Sequence, residues 1–227
     1  NMHVLVKDNL IETVSDEPLA VIQTTNVTMI DGGGRTLMPG LIDAHWHSLM
    51  SSMPLQMLLS SDIAYMSLVA AKANEAALMR GFTSVRDVGG NVFSLKKATD
   101  EGLINGPRIY PSGATISQTS GHADFRAPLE VPANNGAPLD YLQREGMTII
   151  ADGVPAVMQR SREILRKGAS QLKVMAGGGV SSDYDPLDST QYTADEMRAL
   201  VEVANSWNTY VAVHACTADA VRQAVEA

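Results

Sequence analysis

Cysteine is all but missing. Cys216 stands alone among 227 residues, so no intrachain disulfide framework braces this chain. Basic residues are outnumbered 17 to 25, for a net charge of −8, and no Lys/Arg-rich patch stands out, which argues against nucleic acid as a partner. No apolar run approaches the ~20 residues of a membrane-spanning helix, so no membrane partner is expected. No Gly-x-Gly-x-x-Gly follows a first strand, and Gly177–Gly179 precede no Lys-Ser or Lys-Thr. A dinucleotide site and a Walker loop are therefore both unsupported. Histidine is scarce as well, with five in the chain, yet two of them lie two residues apart in "LMPGLIDAHWHSLM".

What is present suits a folded enzyme. The chain is 45% apolar, enough for a real core, and its length fits one large domain or one and a half. Residues 3–36 read as short strands with turns at Lys7–Asn9 and Gly32–Gly34. From Gly40 the pattern alternates strand and helix, which implies a parallel sheet. Strands are expected at Gly40–His45, in "TSVRDVGG", in "RIYPSGATIS", in "QLKVMAG" and in "TYVAVHAC". Helices are expected over Asp62–Arg80, Val92–Glu101 and Pro155–Gly168, with further ones starting at Thr193 and Thr217. Thr193 and Glu196 form a capping box, and Met197, Leu200, Val201 and Ala204 make the apolar face behind it. Residues 118–153, rich in Gly, Pro and Asn, read as one long loop, the kind that is functional or mobile. Five β/α units in one direction predict part of a (β/α)8 TIM barrel over residues 39–227. Residues 1–38 read as a remnant of a small flanking β-sandwich domain.

Functional side chains in such a barrel sit at the C-terminal ends of strands. Alternation along the first strand turns His45 and His47 to one face, where two imidazoles can bind a metal. In the fourth strand Leu172 and Val174 share a face toward the helices, which sends Lys173 inward. A lysine there snorkels to water, pairs with an acid or does chemistry. In the fifth strand His214 faces inward near the strand end, as a hydrogen-bonded core residue or a ligand.

"MPGLIDAHWH" resembles the first-strand signature of the amidohydrolase superfamily. The order His-x-His, fourth-strand Lys, fifth-strand His resembles its binuclear branch. "GFTSVRDVGG", "GPRIYPSGATISQTSGHAD", "ADGV", "QLKVMAGGGVSSDYDP" and "YVAVHACT" extend the likeness to the prolidase-like, imidazolonepropionase-related group. That group includes Xaa-Pro dipeptidases, carboxypeptidases for C-terminal Arg or Lys, and ochratoxin-type amidases.

The resemblance implies two divalent metals, zinc being expected. His45 and His47 would hold the more buried one and His214 the second. Lys173, carboxylated on its amine, would bridge them. Two dications ~3.5–4 Å apart need a bridging anion, which a lysine carbamate supplies. Making it requires a neutral amine, and burial drives a lysine that way. A metal-bridging hydroxide would then attack an amide next to a C-terminal carboxylate, in a dipeptide or an N-acyl amino acid. By resemblance His122, in "SGHAD", would polarise or hold the substrate carbonyl. The alternative is a loop histidine capped by Asp124. The segment after it, 125–153, would be a lid or substrate wall. The group often has an aromatic substrate contact two residues after the fifth-strand histidine, where this chain has Cys216.

The group also needs a sixth-strand His and an eighth-strand Asp, and the sequence stops at Ala227, before both. It is thus expected to be a piece of a longer protein, inactive alone and a homo-oligomer when complete. The compartment is open: cytoplasmic, or secreted or periplasmic if a leader was removed. Competing expectations are a mononuclear deaminase or imidazolone-ring hydrolase of the same superfamily, and a scaffold without catalysis. Lys173 speaks against a one-metal site, which needs no bridge, and retention of four ligand positions speaks against the scaffold.

Overall fold

The computed structural model describes residues 2–20, 26–130 and 138–227. The chain divides into two compact units, Asn1–Pro39 and Gly40–Ala227. In the first, strands β1 (His3–Lys7) and β2 (Leu10–Ser15) form an antiparallel hairpin. Its turn places Asp8 at positive φ, a conformation Asp tolerates better than most residues. The turn expected at Gly32–Gly34 forms, closed by Arg35 N–H to the Gly32 carbonyl, but among the described residues no strand flanks it.

The second unit holds strands β3 (Leu41–Trp46), β4 (Phe82–Asp87), β5 (Arg108–Pro111), β6 (Thr115–Ser117), β7 (Thr148–Ile150), β8 (Leu172–Met175) and β9 (Val211–His214). Helices α1 (Leu55–Ser60), α2 (Ile63–Met79), α3 (Phe93–Asp100), α4 (Tyr141–Arg144), α5 (Val154–Arg166), α6 (Ala194–Ser206) and α7 (Ala218–Glu226) alternate with them. Every strand pairing in this unit is parallel, in two sheets ordered β3-β4-β5 and β7-β6-β8-β9. The fold is of the TIM-barrel class, as a run of barrel wall rather than a closed barrel.

Helix starts follow local chemistry. Asp62 caps α2 by accepting from Tyr65 N–H, and the Thr193–Glu196 capping box opens α6. The buried face of α6 is Met197, Ala199, Leu200, Val203 and Ala204; Val201 is only partly buried, so its inclusion in that face was an error of phase.

Two larger departures concern the third strand and the loop after it. "RIYPSGATIS" is not one strand. It breaks at Ser112–Gly113, where Gly113 takes φ +71°, and its halves join different sheets. The gap is stitched from the next unit: Ser170 N–H donates to the Pro111 carbonyl, and the buried Gln171 amide donates to the carbonyls of Asp87 and Tyr110. Within 118–153, the described residues include α4 and β7, and β7 adds to β6 as an extra parallel strand. Residues 131–137 of the expected lid lie outside the described residues.

Two apolar clusters back the wall. One packs β6, β7 and β8 against α5 and α6 through Ile116, Leu172, Val174, Val157 and Leu200. The other packs α2 and α3 against β4 and β5 through Met66, Ala70, Leu95, Val85 and Ile109. Leu172 and Val174 in the first cluster leave Lys173 on the opposite face of β8, as alternation requires.

Candidate metal centre and its histidines

His45 is the last residue but one of β3, which Trp46 ends, and His47 follows the strand directly. Their ring centroids are 5.4 Å apart, on one side of the strand. Asp43 Oδ1 accepts from His45 N–H, and Asp87 Oδ2 accepts from Ser48 N–H at 2.7 Å. Asp87 is fully buried at the end of β4 and also accepts from Gly89 N–H at 3.2 Å. It therefore ties the turn after the histidine pair to the turn after the second barrel strand. Burial pushes its carboxyl up to about 7, while the Ser48 and Gly89 donors pull it back.

Lys173 is 2% exposed. Burial, and next the Arg86 guanidinium, bring its amine down from 10.5 to about 8; no carboxylate contributes. Arg86 Nε donates to the Ala44 carbonyl at 2.7 Å, and its Nη1 donates to the Tyr210 hydroxyl at 3.3 Å. One side chain thus spans the inner face from β3 to the residue before β9.

The Lys173 charge reaches His45, His47 and His214 alike. All three rings are held below the usual imidazole value, first by burial. His47 falls to about 4, with His45 and Lys173 adding to the burial effect. Its Nδ1 is buried without a hydrogen bond, and the Gly89 backbone pulls the ring back up against these effects. His214 Nε2 lies 3.2 Å from the Gly178 carbonyl and 3.6 Å from Cys216 Sγ, and Cys216 is exposed.

His122 comes from the turn after β6 and is 7% exposed. Its ring stacks on His214, with centroids 4.2 Å apart and planes 16° apart. Asp124 does not cap it. Asp124 forms a two-pronged ion pair with Arg126, whose guanidinium holds the Asp124 carboxyl low against the opposing effect of burial. The partner of His122 is Asp185, 2.9 Å from Nδ1 and 63 residues away. Sequence reasoning missed Asp87, Arg86 and Asp185; the acid-rich "SSDYDP" just after a strand carrying an inward lysine was the available signal for the last.

The residues form two imidazole pairs, 45 with 47 and 122 with 214, with the Lys173 amine felt by three of the four rings. Among the described residues no group of three or more His, Cys, Asp or Glu side chains is arranged to hold a metal ion. The donor set nevertheless fits metals bridged through lysine. The rings of His45, His47 and His214 favour their neutral, ligating form, one buried ring nitrogen is unsatisfied, and the Lys173 amine is biased toward neutrality. The Asp43 carboxylate is turned back on its own backbone, where it accepts from His45 N–H.

This geometry, a parallel barrel wall with a histidine pair on its first strand and a buried lysine on a central one, matches a family. Residues 36–227 match the amidohydrolase family, and the chain belongs to it. Ochratoxinase of Aspergillus niger is 34% identical over 230 residues, covering 94% of this chain and 46% of that protein. A prolidase structure complexed with N-methylphosphonate-L-proline is 41% identical, with TM-score 0.87, over 99% of this chain and 54% of its own. A Xaa-Pro dipeptidase structure with bound methionine is 27% identical, with TM-score 0.75, over 99% and 54%. The chain thus spans about half the length of these relatives.

Proposed function

We propose that the complete protein is a binuclear metal hydrolase of amide bonds next to a C-terminal carboxylate, acting on small peptides or N-acyl amino acids. The observation that carries this reading is Lys173: a lysine 2% exposed, with no acid among the described residues to neutralise it, whose charge reaches three histidines. A structural role does not explain an unpaired buried amine; readiness to be carboxylated does. His45, His47 and His214 would hold the metals and Lys173 would bridge them. When bound, two divalent metals, with zinc expected, supply Lewis-acid activation of water and of the amide carbonyl. His122, stacked on His214, would hold the substrate carbonyl. The substrate class is supported by the relatives: an ochratoxinase, a prolidase with a proline phosphonate and a Xaa-Pro dipeptidase.

The test is metal counting on the complete protein with a hydrolysis screen of Xaa-Pro, Xaa-Arg and Xaa-Phe dipeptides and N-acyl amino acids. Two divalent metals per chain and turnover of at least one class are expected, both lost in Lys173→Ala. One metal with deamination or ring opening instead, or no metal and no turnover, would overturn the reading.

A further inference from the structure

His47 is held by its peptide rather than by its ring. The N–H that Asp87 Oδ2 accepts at 2.7 Å belongs to Ser48, so it lies in the peptide unit that carries the His47 carbonyl. That carbonyl accepts from Ser51 N–H at 2.9 Å and from the Ser51 hydroxyl at 2.6 Å. One planar unit is thus fixed from both sides. The other Asp87 oxygen accepts from Gly89 N–H, and Gly89 lies against the imidazole. A Cβ at residue 89 would come within 3.2 Å of His47 Nδ1 and 3.3 Å of its Cε1. Asp87 therefore holds both the backbone that carries the ring and the backbone on which the ring rests.

The clamp is itself braced. Ser48 Oγ accepts from Trp46 Nε1–H at 3.1 Å and from the amide of the fully buried Asn74 at 3.4 Å. These two donations occupy the lone pairs of the hydroxyl and leave its hydrogen for Asp87. Asn74 makes its donation although its own Oδ1 is buried with no hydrogen-bond partner among the described residues. An unmet buried acceptor is destabilising, so fold stability alone does not account for an amide here. A histidine that binds a metal is ordinarily oriented by a hydrogen bond from its other ring nitrogen. His47 Nδ1 makes none among the described residues, so the orientation of the ring falls to the backbone around it.

We propose that Asp87 is the positioning residue of His47: through Ser48 N–H and Gly89 N–H it fixes the imidazole in the pose that binds metal, in place of the usual ring hydrogen bond. The inference rests on reading His47 as a metal ligand. It gives the buried acid at the end of β4 a part in metal binding without contact to the metal.

The test uses the complete protein. Zinc affinity is measured by chelator competition at one fixed pH, on variants that circular dichroism shows to be folded, and the chelator-stripped parent and Asp87→Asn are crystallised. Asp87→Asn cannot accept from both N–H groups and is expected to lower zinc affinity by ~10- to 100-fold, the scale for groups that orient a ligand histidine. Leu200→Ala, a destabilising change at a fully buried apolar position, should keep the parent's affinity. Gly89→Ala crowds the ring while leaving Asp87 in place. It should lower affinity on the same scale, and it serves if Asp87→Asn does not fold. In the metal-free crystals the ring should lie against Gly89 in the parent and leave it in Asp87→Asn. Parental zinc affinity in Asp87→Asn or Gly89→Ala, an equal loss in Leu200→Ala, or an unmoved ring in Asp87→Asn would overturn the proposal. If the parent takes up no zinc, the metal-centre reading fails, while the metal-free structures still decide whether Asp87 sets the pose of His47.

Discussion

Replacing Lys173 with methionine should make the metal-free protein more stable and the metal-loaded protein useless. Methionine has nearly the volume of lysine and no charge to bury. The amine falls from 10.5 to about 8 on folding, which at ~1.4 kcal/mol per pH unit amounts to ~3 kcal/mol of opposition to folding. The sign follows from proton counting. Between these two values the unfolded chain binds more protons at this site, so stability rises with pH there. The penalty is full below about 8 and fades as pH climbs toward 10.5. Urea denaturation of chelator-stripped protein in carbonate-free buffer therefore has two expected results. At pH 6.5 Lys173→Met should exceed the parent by ~1–3 kcal/mol, and by pH 10 the difference should shrink to about a quarter of that. Zinc content and hydrolysis should both collapse in the variant. A variant less stable than the parent at pH 6.5, or a difference that does not shrink with pH, would show that the buried amine is satisfied in some other way.

Other expectations reach the rest of the site. Gly179→Ala should push the His122 ring out of place and lower turnover by at least ~10-fold, with zinc content retained; the two are read by steady-state kinetics and metal analysis of the same sample. Asp87→Asn should be less stable than the parent at pH 4 by ~1–3 kcal/mol, because an amide NH2, which cannot accept, then faces one of the two N–H donors that a carboxyl oxygen meets. The parent's advantage should narrow between pH 4 and 7, since a carboxyl raised to about 7 contributes stability below its unfolded value that is lost as pH rises. Urea midpoints at both ends of that range check the slope, and a constant gap would refute it. Leu200→Ala, at a fully buried position behind β8, should lower stability by ~2–5 kcal/mol in the same assay without changing zinc stoichiometry.

Much of the barrel wall was readable before any coordinates. The caps of α2 and α6, the inward phase of Lys173 and the shared face of His45 and His47 all depend on residues within a few positions of one another. Period-two and period-3.6 patterns report such relations directly. The misreadings lie where that range ends. Val201 was placed in the α6 core because spacing alone does not say how wide a face the neighbouring helix covers. "RIYPSGATIS" reads as one strand locally; the break at Gly113 becomes stable because Gln171, far along the chain, donates to the carbonyls left open beside it.

The site divides in the same way. Residue order and alternation by themselves placed His45, Lys173 and His214 on strands, with His47 falling just past the first, because a strand's faces follow from its own sequence. They could not determine which acid His122 would meet. Asp124, two residues on, was the local choice, and it went to Arg126. Asp185 reaches His122 only because β6 and β8 are paired, which brings the turns that follow them to the same end of the sheet. The burial that biases Lys173 toward a neutral amine has the same origin: it lies on the face of β8 turned away from α5 and α6, with β6 and β9 on either side, and no single stretch of the sequence contains that enclosure.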